Sequence, residues 1–244
     1  MLDGESRTVG RVLIVCNDFG ASRQLTDILQ EHGLSVEVSV DVSTASARLA
    51  RNKYEAVVID LFLGHNATYF LQQIRNSASN RTAVTFAIAT QPDDTAFALR
   101  WGFSFVLERP LTADSIGHTL TVAYGMIVRE RRRYYRYPIV VPAVLQRKAG
   151  EIYARTINVS EGGMAIRSSM PLAAGSEANV EFTLVEPKLT IKAEGKVCWQ
   201  NHEGEVGFAF GFMPFDMASA LQQWLALKLE RHLPTHVAEK FGRS

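Results

Sequence analysis

The chain has 244 residues, 47% apolar and 21% charged, and its 26 basic and 25 acidic side chains leave a net charge of +1. That balance excludes an intrinsically disordered chain and disfavours indiscriminate binding to a long polyanion, and the length suits two domains of ordinary size. No apolar run is long enough to span a bilayer, Met1-Leu2-Asp3-Gly4-Glu5-Ser6 lacks the layout of a signal peptide, and Cys16 and Cys198 have no near cysteine neighbour. The expectation is a cytoplasmic protein without membrane insertion, its cysteines buried as small apolar residues rather than forming a disulfide or a zinc site.

The first half repeats one pattern. Val12-Leu13-Ile14-Val15-Cys16 is a continuous apolar run of the kind that forms a strand buried on both faces. A helical pattern with Leu25, Ile28 and Leu29 on one face follows and ends at Gly33. Strands are then predicted at Leu34–Val40, Ala56–Ile59, Val84–Ala89 and Phe103–Leu107. Helices are predicted at Ser43–Asn52, Tyr69–Arg75, Pro92–Arg100 and from Ala113 onward. Five strand-helix alternations imply a parallel sheet covered by helices on both faces, an α/β (βα)5 domain.

Ligands of such sheets sit beyond the carboxyl ends of the strands. Asp18, Asp60, Thr90 and Arg109 fall there, and their order and spacing resemble the response-regulator receiver domain, a flavodoxin-like fold. The resemblance implies that Asn17 and Asp18 stand at the magnesium-holding acidic pair, Asp60 at the phosphoacceptor, Thr90 at the switch hydroxyl and Arg109-Pro110 at the family's Lys-Pro. Two departures bear on chemistry. Asn17 removes one charge from a site for a hard cation, and Arg109 replaces a compact point charge with a planar fork. Two readings stay open: magnesium held by Asp18 and Asp60 with phosphorylation at Asp60, or a degenerate receiver fold whose acids merely end strands and whose surface makes contacts.

The seam between the halves is Arg129 to Arg136, where five of eight residues are Arg. Its helical pattern starts at Ser115, with Ile116, Leu120, Tyr124 and Ile127 facing the sheet, and runs to Tyr134. If that helix continues, Arg132 and Arg136 lie one turn apart. Tyr135-Arg136-Tyr137-Pro138 should end it, because the residue before proline avoids helical geometry.

Beyond Pro138 the period becomes alternating. Strands are predicted at Ile139–Gln146, Ile152–Ile157, Met164–Ser168, Glu177–Leu184, Leu189–Trp199 and Val206–Phe212, which makes a six-stranded antiparallel barrel. An amphipathic helix closes it, with Asp216 as N-cap, Leu221, Trp224, Leu225 and Leu229 on one face, and Pro234 as the stop. Trp224 reads as a barrel-plugging core residue. The proline between His232 and His236 argues against a helical metal pair, and no other cluster has ligand spacing.

Arg132 and Arg136 form Arg-x-x-x-Arg, and Asn158-Val159-Ser160-Glu161-Gly162-Gly163 has the form (Asp/Asn)-x-Ser-x-x-Gly. In that order, and followed by an alternating barrel pattern, they resemble the PilZ family of cyclic di-GMP receptors. Val197-Cys198-Trp199 and Gly207-Phe208-Ala209-Phe210 resemble the family's late strands. The resemblance implies that Arg132 and Arg136 contact guanine and phosphate, that Asn158 and Ser160 bind the guanine edge, that Gly163 admits close backbone approach, and that Arg131 adds a contact. Arg suits this ligand because its fork matches both phosphate and the O6/N7 edge of guanine.

The expected organisation is a receiver-like domain at 9–125, a PilZ-like barrel with its Arg-rich linker and C-terminal helix at 126–233, and a tail at 234–244. The expected function is a non-enzymatic signalling adaptor in which cyclic di-GMP orders the Arg segment and re-aims the receiver-like half toward a protein partner. Two alternatives stand beside it. One is a DNA-binding regulator using the Arg run, disfavoured by the near-neutral charge. The other is a receiver phosphorylated at Asp60 with magnesium and the barrel as output.

Overall fold

The computed structural model describes residues 8–230, and contacts divide the chain into two compact units between Arg131 and Arg132. The expectations for His232, Pro234 and His236 lie outside the described residues.

The first unit holds five strands, β1 (Gly10–Val15), β2 (Leu34–Ser39), β3 (Ala56–Asp60), β4 (Val84–Ala89) and β5 (Phe105–Glu108). They pair in parallel in the order β2-β1-β3-β4-β5. Between and after them run α1 (Phe19–Glu31), α2 (Val42–Arg51), α3 (His65–Asn76), α4 (Pro92–Trp101) and α5 (Ala113–Tyr134). This order is the flavodoxin-like one.

The apolar runs are continuous because the sheet feeds two cores. Val12, Ile14 and Val58 pack with Leu25, Leu29, Ile116 and Ile127 from α1 and α5. Leu13, Val15, Val57 and Ile59 point the other way, onto Leu49, Phe70, Ile74 and Ala98 from α2, α3 and α4. Successive residues of a strand face opposite sides, so a sheet covered on both faces needs an apolar residue at each step. Helix α3 begins at His65, earlier than its apolar pattern suggested, directly after Gly64 at φ 62°.

The second unit is a closed barrel. Its strands are β6 (Tyr137–Pro138), β7 (Pro142–Arg147), β8 (Gly150–Ser160), β9 (Gly163–Ser168), β10 (Glu177–Leu184), β11 (Leu189–Gln200) and β12 (Glu205–Phe210). Six of them close the ring β8-β7-β10-β11-β12-β9-β8, and the two-residue β6 continues the line of β7 along β8. Closure removes the free edges on which a sheet would aggregate. The first predicted strand of this half is therefore two pieces, with Ile139–Val141 outside the strands.

The barrel interior takes Leu145, Val159, Ile166, Val180, Phe182, Ile191 and Phe208. Helix α6 (Phe215–Glu230) adds Leu221, Trp224 and Leu225 to that core. The helix starts at Phe215, two residues earlier than an Asp216 cap implies, so Asp216 lies in its first turn, where its charge suits the helix dipole. Trp224 is buried, and its indole N–H donates to the Glu186 carbonyl at 3.2 Å.

Cys16 is buried as expected, but Cys198 is exposed. The register of β11 against β12 jumps between Val197 and Trp199, so Cys198 is the extra residue of a bulge. The bulge also turns Val197 and Trp199 to opposite faces. Val197 joins the core, and Trp199 stays half-exposed outside.

Trp224→Ala is expected to destabilise the barrel by about 3–5 kcal/mol, through lost burial and the cavity left behind. Urea unfolding followed by far-ultraviolet circular dichroism measures this as a shift in midpoint.

Candidate ligand-binding site

Helix α5 stops at Tyr134, and its last turn tightens as the Tyr135 N–H donates to the Arg132 carbonyl at 3.2 Å. From there the chain is drawn out, because Tyr137 and Pro138 pair with Val159 and Asn158 of β8. Arg132 and Arg136 therefore do not share a helical turn. Arg132 sits in the last turn of α5, and Arg136 sits in the extended stretch. Alternation then sets its direction. Tyr135 and Tyr137 are half-buried against the barrel core, and Arg136 between them is exposed. The Tyr137 ring meets the Trp224 ring edge-on at 5.1 Å, which fixes the extended segment to α6.

The second motif lies beside it. Arg136 Nη1 is 3.5 Å from Asn158 Oδ1, at the long end of hydrogen-bond range. Ser160 is buried, and its hydroxyl donates to the Gly163 carbonyl at 2.8 Å, closing the Glu161-Gly162 turn. A Cβ on Gly163 would lie 2.3 Å from the Phe208 carbonyl oxygen of β12. The glycine is thus required by a neighbouring strand, whatever else approaches it. Arg132 is half-buried, and its Nε makes no hydrogen bond among the described residues.

Strand register extends the site across the barrel. Asn158 pairs with Ala165, Ala165 with Gly207, and Gly207 with Trp199. Their neighbours Val159, Met164 and Phe208 all point into the core, so this row points out. The Trp199 ring lies over Gly207, where a Cβ would meet its Nε1 at 2.2 Å. Between Asn158 and the indole the floor is only Ala165 and Gly207, a shelf spanning three strand spacings, or roughly 14 Å between backbones. A separate groove of about 1030 Å³, lined by Arg147, Asn179, Lys196 and Phe212 among others, contains none of these residues.

The Arg run is not uniform. Glu130 is buried in the first unit, where its carboxylate accepts from Lys53 Nζ and from the Thr82 hydroxyl at 2.7 Å. Arg131 reverses the polarity, with Nη1 3.8 Å from Oε1 of the buried Glu55. Burial pushes the Glu55 carboxyl up from its ordinary value, against the backbone N–H of Arg11 and the Arg131 charge, which act the other way.

At the carboxyl ends of β1 and β3 the structure does bring Asp18, Asp60 and Arg109 together. Arg109 Nη1 donates to Asp18 Oδ2 at 2.7 Å, and Nη2 to Asp60 Oδ2 at 2.8 Å. Asp18 Oδ1 accepts from the Ala21 N–H at 3.1 Å and so caps α1. Asp60 Oδ1 accepts from the Phe62 N–H at 3.0 Å, and the Cys16 thiol approaches Oδ2 at 3.1 Å. The Ala21 N–H, and next the Arg109 guanidinium, hold the Asp18 carboxyl below its usual range. Burial, and next the bond to Asp60, push the Cys16 thiol up.

Thr90 is exposed, its N–H donates to Asp94, and no contact joins its hydroxyl to either acid among the described residues. Asn17 is exposed too. Magnesium needs several oxygen ligands at short range with near-octahedral geometry. Here a guanidinium bridges the two carboxylates, and Asp60 is wholly buried. These residues do not fit the metal. Among the described residues no group of three acid, histidine or cysteine side chains could hold one.

The strand orders define two domains, a flavodoxin-like parallel sheet first and a closed antiparallel barrel second. The second domain is a PilZ domain, whose family model matches residues 130–227. The first half is similar to several solved structures. Its likeness to NtrX from Brucella abortus, in complex with ADP, has 18% identity and a TM-score of 0.45, over 51% of this chain and 29% of that one. The receiver domain of a Pseudomonas aeruginosa sensor histidine kinase, which holds magnesium in its cleft, has 20% identity and a TM-score of 0.43, over 48% and 98%. The chemotaxis response regulator CheY4 of Vibrio cholerae has 18% identity and a TM-score of 0.43, over 47% and 98%. No curated protein matches the chain. No helix among the described residues is long and apolar enough to cross a membrane.

Sequence reasoning missed two features of these sites. One is the fork of Arg109 closing over both acids. The other is Trp199 as a wall of the shelf, signalled only by the small residue Gly207 beside the large ones of β12. Gly163→Ala is expected to lower the melting temperature of the ligand-free chain by several degrees, because the clash is with backbone that cannot yield. Differential scanning calorimetry without nucleotide checks this.

Proposed function

We propose that the protein is a cyclic di-GMP-binding signalling adaptor without catalytic activity. The observation that carries this reading is the meeting of Arg136 with Asn158, which brings the Arg-x-x-x-Arg and Asn-x-Ser-x-x-Gly motifs side by side on β6 and β8 of a PilZ domain. In this reading Arg132 and Arg136 bind phosphate and the guanine O6/N7 edge, and the Asn158 amide binds the base edge. Ser160 binds the same edge through the lone pairs its turn leaves available. Gly163 keeps the strand low beneath the ligand. A guanine stacks on the exposed indole of Trp199, which itself covers Gly207. Arg131 joins the ligand only by leaving Glu55.

Ligand binding orders the Arg segment and changes how the receiver-like domain is presented to a protein partner. It shifts that equilibrium by no more than its differential affinity for the two arrangements. Motility, biofilm formation or polysaccharide production is the output. The protein works in the cytoplasm, a setting supported by its two unpaired cysteines.

Bidentate contacts discriminate by about 1–3 kcal/mol each, and micromolar binding needs about −8 kcal/mol in all. Arg136→Ala or Arg132→Ala is therefore expected to weaken binding by at least roughly tenfold. Trp199→Ala weakens it by a similar factor, and Trp199→Phe restores much of the loss. Calorimetric titration of cyclic di-GMP, with GTP as control, measures each. Absence of heat with the wild-type chain at tens of micromolar overturns the proposal.

A further inference from the structure

We infer that Arg109 is a resident cation, which takes the position of a metal between Asp18 and Asp60 and leaves the first domain in one state regardless of magnesium or phosphoryl donors.

The geometry carries this. A guanidinium presents two N–H groups in a plane, and those of Arg109 fall at 2.7 and 2.8 Å on carboxylates from the ends of two neighbouring strands. A lysine in its place is a point charge with no fixed fork. Arg is never deprotonated in proteins, so the cation does not leave when pH rises.

Each carboxylate oxygen is engaged. Asp60 Oδ1 holds the Phe62 N–H, Oδ2 holds Arg109 and Cys16, and the side chain has no exposed surface. A carboxylate that attacks phosphorus must aim a lone pair at the donor, and the new phosphoryl oxygens need a cation of their own. Here three of the carboxylate's roughly four lone-pair positions are taken, the side chain is wholly buried, and the cation is already committed.

The chain as it exists supplies the test. Thermal unfolding of the full-length protein is measured in chelator and in millimolar magnesium, for wild type, Arg109→Ala and Arg109→Ala/Asp60→Asn. The wild type is expected to melt at one temperature in both buffers. Arg109→Ala leaves two carboxylates without their counter-charge, so it should melt lower in chelator by several degrees. Magnesium should raise that value in a concentration-dependent way, as a ligand of the folded state does. The double variant should lose the magnesium response.

Should Arg109→Ala fail to fold, Arg109→Lys decides, because a compact, strongly hydrated ammonium lacks the fixed fork that holds both acids, and a magnesium response should again appear. The inference is overturned by a magnesium-dependent rise in the wild-type melting temperature. It is equally overturned by a phosphoryl group on wild-type Asp60 after acetyl phosphate treatment, read by intact mass. A folded variant that gains no magnesium response overturns it too.

Discussion

Two carboxylates at the ends of neighbouring parallel strands must be neutralised, and the first domain does this from within. Asp60 ends β3 with its side chain wholly buried, where an unpaired charge would cost several kcal/mol. Arg109 follows β5, on the far side of β4. Its bond to Asp60 therefore ties together strand ends that the sheet ladder does not join directly. The bond to Asp18 extends the tie to β1 and to the first turn of α1. The same contacts hold three strand ends together and satisfy the buried Asp60 charge, so one guanidinium serves both needs.

The barrel meets a different constraint, the close approach of backbone. Gly163 and Gly195 lie so near β12 that a Cβ would fall 2.3 Å from the Phe208 carbonyl oxygen and 2.0 Å from that of Ala209. A small closed barrel curves sharply, and glycine is what permits it. The outer shelf follows from the same economy of side chains. With only Ala165 and Gly207 between Asn158 and Trp199, the row stays low, and the indole lies over Gly207 where a side chain would exclude it.

Much of this was legible in the sequence because burial on both faces forces continuous apolar runs and burial on one face forces alternation. Val84–Ala89 and Glu177–Leu184 are strands over those same residues. What was not legible depends on contacts between distant segments. The pattern from Ser115 to Tyr134 is helical, but only the pairing of Tyr137 and Pro138 with β8 decides that Arg136 leaves the helix axis. The apolar context of Cys198 suggests a buried cysteine, but it is the extra residue of a bulge that only the partner strand defines, and it is exposed. Replacement of Lys by Arg at 109 is visible in the sequence. That its fork spans two acids is a property of the fold.

The five arginines of the seam also show why composition alone misleads. A clamp on a nucleic-acid backbone needs several cations on one surface, because its affinity grows with the number of phosphates neutralised together. Arg131 instead faces a buried carboxylate, and the buried Glu130 beside it draws in Lys53, so two adjacent residues form oppositely directed ion pairs within the first unit. Arg132 is half-buried in the last helical turn, and Arg136 projects beside Asn158. Part of the apparent charge of the run is thereby neutralised inside the protein. What remains beside Asn158 is a local, directional cation next to an amide. That arrangement matches a compact ligand bearing both phosphate and a base edge better than it matches a uniform rod of charge.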